Sequence, residues 1–526
     1  MALASLCRET AAASTDHNPA FTGLVVDHKL RRGSTEEAHR VCEALQHLRI
    51  RPRILTLDWS RYGSSVESLT NLESVARRLR YQALGQACRD EGIASLLVAH
   101  HADDQAETVL SRLLGNYLGA GLRGVKSSTP IPECEGLHGI SQSSYPRFID
   151  SMASGDRGAG VVPMLVESGG ITIERPLLGI TKTQLVDYCQ DRGVGWFEDH
   201  TNADRTYTVR NTVRHLLVSD HLPKALQRSR LLALAASVAA NEAEVERHAQ
   251  CLFNAMKIEL DARGGRACII APELSKPQDS PSQSAFSARA VCARKMLQLV
   301  SPSRHVNSQE VQSVVDLLWP GTFHPSTSTG SVQVAGVNVR VSSGDESQLY
   351  TLERTIPTKR ERAGSQVELF TPNSYERHAS TSSYFPEWHL WDNRYWLHVG
   401  GPLADRYQSV TVRFLEPNDI SQVRKDVDRA KRKELESLLS VCQGNKRYTL
   451  PALIAVPITR APVSASPPRV IGLPTLGWSA PGWTRRLSKS DEESRLCWWD
   501  VRYRNIDFPT SDKHSVKANI PLGRST

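Results

Sequence analysis

No run of about 18 consecutive apolar residues occurs in this 526-residue chain, so no membrane-spanning helix is expected. The ten cysteines are scattered singly, and no two stand at C-x-x-C spacing. That argues against a zinc ribbon or a closely spaced cluster motif, and reads as buried thiols in a reducing compartment. No internal repeat is visible. A signal peptide is also missing, since Met1 opens directly on the helix-like stretch MALASLC. The length is too great for one compact core, and two to four domains are expected. The net charge of +8 and pI near 8.9 suit a polyanionic partner without demanding one.

The most informative segment is SLLVAHHADDQAETVL, Ser95 to Leu110. An apolar run stops at His100-His101, and Asp103-Asp104 opens an amphipathic helix with Val109, Leu110, Leu113 and Leu114 on one face. This is a strand entering a helix N-terminus, with carboxylates and imidazoles in the turn. In open α/β sheets that carboxyl edge is where ligands bind, and carboxylates there can hold Mg²⁺ against nucleotide phosphates. The plain alternative is that acidic residues complement the dipole of a first helical turn. Zinc at His100-His101 is disfavoured, because adjacent residues do not readily ligate one ion and no cysteine lies near in sequence.

Around this segment strands and helices alternate. FTGLVVDH is a strand ending in Asp27-His28; Ser34 with Glu37 reads as a capping box for the next helix; RILTLDW is a second strand; a long helix runs from about Asn71 to Glu91, stopped by Gly92. Such βα units predict an α/β fold with a mostly parallel, doubly wound sheet. Residues 119–170 are rich in Gly, Ser and Pro with little periodicity, and read as a long mobile insertion. Order resumes at ITIERPLLGI, and Thr181 with Gln184 caps another helix closed by Gly193. From Asp204 to Arg230 six Arg or Lys face two acids, a stretch that suits nucleic acid but is more often a solvated face. Further on, Ala288 to Leu318 is helical, SVQVAGVNVRVSSG with ESQLYTL reads as a hairpin around Gly344, and Lys425 to Cys442 as one basic helix.

Four segments together resemble one family, the tRNA(Ile)-lysidine synthetases of the N-type ATP pyrophosphatase (PP-loop) group. They are VDHKLR (Val26 to Arg31), ARRLRY (Ala76 to Tyr81), AHHADDQAET (Ala99 to Thr108), and RPLLGI (Arg175 to Ile180) followed by EDHTNADRTYTVRNTVR (Glu198 to Arg214). The resemblance covers about residues 1–250 and continues more faintly beyond. It implies an adenine nucleotide alpha hydrolase-like domain over 1–220, a helical linker or RNA-binding region over 221–320, an α+β region over 321–500 and a loosely ordered tail over 501–526. The family carries SGGxDS between its first strand and first helix. MALASLC resembles the helix after that motif, so the first strand and the phosphate loop are expected to be absent, as in an incomplete gene model. In-frame codons upstream of Met1 would decide that point.

The resemblance implies that ATP adenylates the C2 oxygen of the wobble cytidine of a tRNA(Ile) with a CAU anticodon, and that free L-lysine then displaces AMP. Carried over residue by residue, it puts His101, Asp103, Asp104 and Arg77 in the catalytic set, with Asp103 and Asp104 also holding Mg²⁺. Asp27, His28 and Arg80 fall at the nucleotide. Asn202, Asp204, Arg210, Asn211 and Arg214 fall at the tRNA, where Arg210 and Arg214, four apart on one helical face, suit paired phosphate contacts. Arg77, Arg80 and Tyr81 lie off the apolar stripe of their helix and are expected to face the site. Strand-end turns, surface salt bridges and an Asp-Arg network are the plain alternatives for these groups. The family is often dimeric, which leaves a homodimer open. The compartment would be mitochondrial in a eukaryote and cytoplasmic in a bacterium. Two other readings stand beside this one: a catalytically silent tRNA-binding homologue, and a tRNA cytidine thiolase, against which the absence of C-x-x-C counts.

Overall fold

The structure is a computed structural model that describes residues 1–13, 20–31, 33–62, 69–148, 164–197, 209–218, 222–271, 283–319, 330–343, 348–372, 388–440, 442, 444–458, 467–486 and 496–508. It divides into two compact units, one of 1–146, 167–244 and 383–389, the other of 147–166, 245–382 and 390–526. The compact units therefore do not break at 220 or 320.

In the first unit α1 (Ala2–Ala13) precedes β1 (Thr22–Asp27), which pairs in parallel with β2 (Arg51–Thr56) across α2 (Ser34–His47). α2 buries Ala38, Cys42 and Leu45, the i, i+4, i+7 face of a helix lying on a sheet. The expected Ser34–Glu37 capping box does not form. Gly33, in the left-handed region at φ 84°, precedes the helix instead and its carbonyl accepts from the Glu37 N–H at 3.0 Å, so Ser34 is already the first helical residue and donates its hydroxyl to Asp27. α3 (Leu72–Asp90) buries Val75, Tyr81, Leu84, Ala87 and Cys88 and ends at Gly92 with φ 68°. β3 (Ser95–Leu97) leads into α4 (Ala102–Leu114).

β4 (Ser128–Pro130) and the short strands β5 (Tyr145–Arg147) and β6 (Leu165–Ser168) follow, then β7 (Thr172–Glu174). β7 pairs in parallel with β3 and antiparallel with β4. Next come α5 (Lys182–Asp191), with the expected Thr181/Gln184 capping box, α6 (Val209–Val218) and α7 (Arg228–Asn254). α1 rests on α5, where the Tyr188 hydroxyl donates to Ser5 Oγ at 3.1 Å and Glu9 Oε1 at 3.0 Å.

Two of the cores in the first unit position the strand ends and α4. Leu55, Leu84, Ala87, Ile131, Ile140 and Ile173 join side chains of the strands and α3. Val109, Leu110, Leu122, Val213, Leu231 and Ala235 join α4 to α6 and α7. The supposed mobile insertion is thus partly built structure. Ile131, Cys134 and Ile140 are buried, and Gln105 clamps Val125 by accepting from its N–H at 2.6 Å and donating to its carbonyl at 2.8 Å. Isolated apolar residues between Gly, Ser and Pro carry no periodicity, so such a segment is invisible to pattern reading. Residues 149–163 lie outside the described residues.

The second unit contains an antiparallel sheet in which Val337–Ser343 and Gln348–Arg354 form the expected hairpin. A second antiparallel sheet includes Tyr407–Phe414 and Pro451–Pro457. The single basic helix expected over 425–442 is two helices, Pro417–Asp426 and Arg429–Leu439. The break comes where Asp428 accepts from the Lys431 N–H at 2.8 Å and caps a new start. Among the described residues no helix is long and apolar enough to cross a membrane.

Candidate functional site

The chemically capable residues of the first unit gather where strands end. β1 closes on Asp27, whose buried carboxylate accepts from Ser34 Oγ (2.7 Å), Thr35 Oγ1 (2.8 Å) and the Lys29 N–H (3.1 Å). Burial works against ionisation, but these hydrogen bonds outweigh it and hold the carboxyl at about 2, against an ordinary 3.8. Asp27 thereby shapes the turn, and Lys29 follows in the left-handed region at φ 54°. The His28 carbonyl accepts from Trp59 Nε1 at 2.8 Å. The His28 imidazole is pushed below its usual range, first by burial and then by the cation of Arg80, with Asp27 opposing.

A stability consequence follows for Asp27. Its depressed pKa contributes stability that is complete above about pH 4 and lost as pH falls through about 2, worth about 2 kcal/mol. Melting curves of the wild type should therefore converge with those of Asp27→Asn between pH 4 and 2. Parallel curves would exclude the effect.

On α3 Tyr81, expected to face the site beside Arg77 and Arg80, is a core residue, 4% exposed. The Arg77 guanidinium lies 4.8 Å and that of Arg80 5.3 Å from its ring centre. Arg77 also stands 3.4 Å from Glu133. Arg175, at the end of β7, is buried. It donates through one terminal nitrogen to the Lys126 carbonyl at 2.9 Å and Thr129 Oγ1 at 3.1 Å.

At the end of β3 the His101 N–H donates to Asp104 Oδ2 at 3.0 Å, starting α4. The His101 ring lies between the two carboxylates, with Nδ1 3.6 Å from Asp103 Oδ2 and Nε2 3.5 Å from Asp104 Oδ2. Asp103 also gathers other elements. Its Oδ2 accepts from the Lys182 N–H of α5 at 2.7 Å, and its Oδ1 lies 2.9 Å from Arg228 Nε of α7. The Ala102 N–H donates to the Ile180 carbonyl at 2.8 Å, docking the RPLLGI segment on the same turn.

One turn along α4, Glu107 is buried and accepts from Arg214 of α6 through Nε (2.7 Å) and a terminal nitrogen (3.2 Å). Arg214 is thus half of an internal ion pair with Glu107, its side chain still partly exposed. Asn211 is also buried. The Arg210 side chain, Asn202 and Asp204 lie outside the described residues. Glu107, Lys182 and Arg228 were not anticipated. Only Glu107 left a trace, standing four residues after Asp103 on the same helical face.

The two carboxylates expected to hold Mg²⁺ are already engaged within the protein. Both Asp103 oxygens are engaged, and one oxygen of Asp104 closes the helix start. Among the described residues no three His, Cys, Asp or Glu side chains converge as ligands for such an ion. Cys88 and Cys134 are buried, and burial pushes their thiols up to about 11 and about 12.

Comparison with known proteins follows this geometry. Residues 1–221 match a PP-loop domain family model. A "Probable tRNA(Ile)-lysidine synthase" of Schizosaccharomyces pombe is 25% identical over 467 residues, covering 87% of this chain and 85% of that protein. A tRNA(Ile)-lysidine synthase of Brucella anthropi is 29% identical over 50% of this chain and 48% of its own length. One of Novosphingobium aromaticivorans is 33% identical over 43% and 56%. The match thus spans only about half the length of these bacterial relatives. Among solved structures, a U34-tRNA thiolase from Methanococcus maripaludis matches at TM-score 0.30 and 13% identity, covering 45% of this chain and 68% of that one.

Proposed function

We propose that this chain, whose residues 1–221 match a PP-loop domain and which is 25% identical over 467 residues to a probable fungal tRNA(Ile)-lysidine synthase, joins lysine to the wobble cytidine of a CAU-anticodon tRNA(Ile) at the expense of ATP. The reading rests on one observation above the others, the alignment that runs through 87% of this chain and 85% of its fungal relative.

The chemistry has two balanced steps. The C2 oxygen of the cytidine attacks the α-phosphorus of ATP and pyrophosphate leaves. The lysine amine then bonds to C2, the C2–O bond breaks, AMP departs and the amine gives up a proton. An adenylated oxygen is a far better leaving group than the bare one, so the first step must precede the second. Asp103, Asp104 and His101 are the groups we assign to the amine. The carboxylates would orient the ammonium form, and the imidazole between them is placed to take the proton it loses. His28 and Arg80 are assigned to the nucleotide, Asp27 to holding that turn, and Asn202, Asp204, Arg210 and Asn211 to the tRNA.

The test is incubation of the chain with tRNA(Ile), ATP and labelled lysine. Label retained in tRNA after mild alkali, and located at the wobble cytidine by mass spectrometry of digests, is the expected result. Label released by alkali would mean ester aminoacylation and would overturn the reading. Binding of tRNA with no label under any condition would favour the silent homologue.

A further inference from the structure

Asp103 is crowded for a group assigned to an incoming amine. Its Oδ2 is committed to the Lys182 N–H at 2.7 Å, and its Oδ1 already faces the Arg228 guanidinium at 2.9 Å. An ammonium brought to the same carboxylate meets a like charge at close range, and the two repel. One of the two occupants must give way. The Lys182 N–H is backbone, fixed at the start of α5 by the Thr181/Gln184 capping box. Arg228 is a side chain, 37% exposed, and of the two it alone has water to swing into.

Three observations mark Arg228 as a loose occupant rather than a structural clamp. Its Nε is buried and close to Asp103 yet makes no hydrogen bond, so the contact is charge on charge without a directed N–H. It opens α7, whose first turn holds no acidic residue, and a cation at a helix N-terminus works against the helix dipole. Nor does α7 need the pair to stay on α4, because Leu231 and Ala235 share a buried cluster with Val109 and Leu110. Asp103 itself lies in the first turn of α4, where the dipole favours its charge whichever cation faces it.

We propose that Arg228 is an internal stand-in for the substrate ammonium, covering Asp103 when no amine is bound and displaced when one binds. The proposal rests on the assignment of Asp103 to the lysine amine and adds a regulation of that subsite. A ligand that displaces Arg228 must offer what the guanidinium does not, an N–H bond directed at Oδ1. A primary ammonium, with three donors on one rotatable head, meets that condition. Binding of the amine then exchanges one ion pair for another, and the carboxylate is never left without a counter-charge.

Equilibrium dialysis of the full chain against labelled L-lysine tests this without turnover. Arg228→Gln should bind lysine about fivefold more tightly than the wild type, the factor set by the upper end of what a partly exposed ion pair contributes. Arg228→Lys keeps a cation over Asp103 and should bind no more tightly than the wild type. Adding Asp103→Asn to Arg228→Gln should abolish the gain, because no carboxylate remains for either cation. Equal or weaker binding by Arg228→Gln, with lysine bound by the wild type, would make Arg228 a support of the subsite and overturn the displacement alone. A melting temperature of Arg228→Gln far below that of the wild type would show a clamp and overturn it too. If neither the wild type nor Arg228→Gln binds lysine, the assignment of Asp103 to the amine falls, and the proposal falls with it.

Discussion

Replacing Asp103 with asparagine should slow lysine transfer to tRNA by about 10²–10⁴-fold, the range for removing a group that handles a proton or charge in the reaction. Asparagine keeps the side chain's shape, and its carbonyl can still accept from the Lys182 N–H. It removes the negative charge that faces Arg228 and the His101 ring. The pair with Arg228 is partly open to water, so the expected cost to stability is within about 1 kcal/mol. Rate and melting temperature should therefore separate: a large loss of product formation with a nearly unchanged melt. A variant that transfers lysine at close to the wild-type rate would remove Asp103 from the reaction. One that melts much earlier would instead make it a structural joint between α4, α5 and α7.

The second large effect concerns Arg214. Converting it to methionine removes the cation paired with the buried Glu107 carboxylate, and should cost about 3 kcal/mol of stability. That is the low end for removing one member of a buried pair, because Arg214 itself stays partly in water. Adding Glu107→Leu to that variant should restore most of the loss, since two apolar side chains would then meet across α4 and α6. Denaturant melts of the two single variants and the double variant measure this coupling. If the losses simply add, the ion pair is incidental. If the double variant is as stable as the wild type but binds tRNA normally, α6 owes its place to packing alone.

Much of the first unit was legible before any coordinates, because its signals are local. The strand ending at Asp27, the long helix closed by Gly92, and the Thr181/Gln184 cap each depend on residues within a few positions of one another. The Ser34–Glu37 box was misread for a related reason. The helix is entered one residue earlier, at Gly33, so Ser34 is already its first helical residue and its hydroxyl donates to Asp27, seven residues back. The burial of Tyr81 was not legible, because an aromatic ring off the main stripe of a helix can still be buried by neighbours from elsewhere in the chain.

What the sequence alone determined is the strands and helices that carry a local signal, and that His101, Asp103 and Asp104 stand together at a strand end, since periodicity and helix-start chemistry are written in adjacent residues. Only tertiary structure decided which charge meets which. Glu107 meets Arg214 across 107 residues, Asp103 meets the Lys182 N–H across 79, and Arg175 meets no carboxylate among the described residues. Ion pairing depends on distance through space and on how much water is excluded, and neither quantity has any fixed relation to separation along the chain.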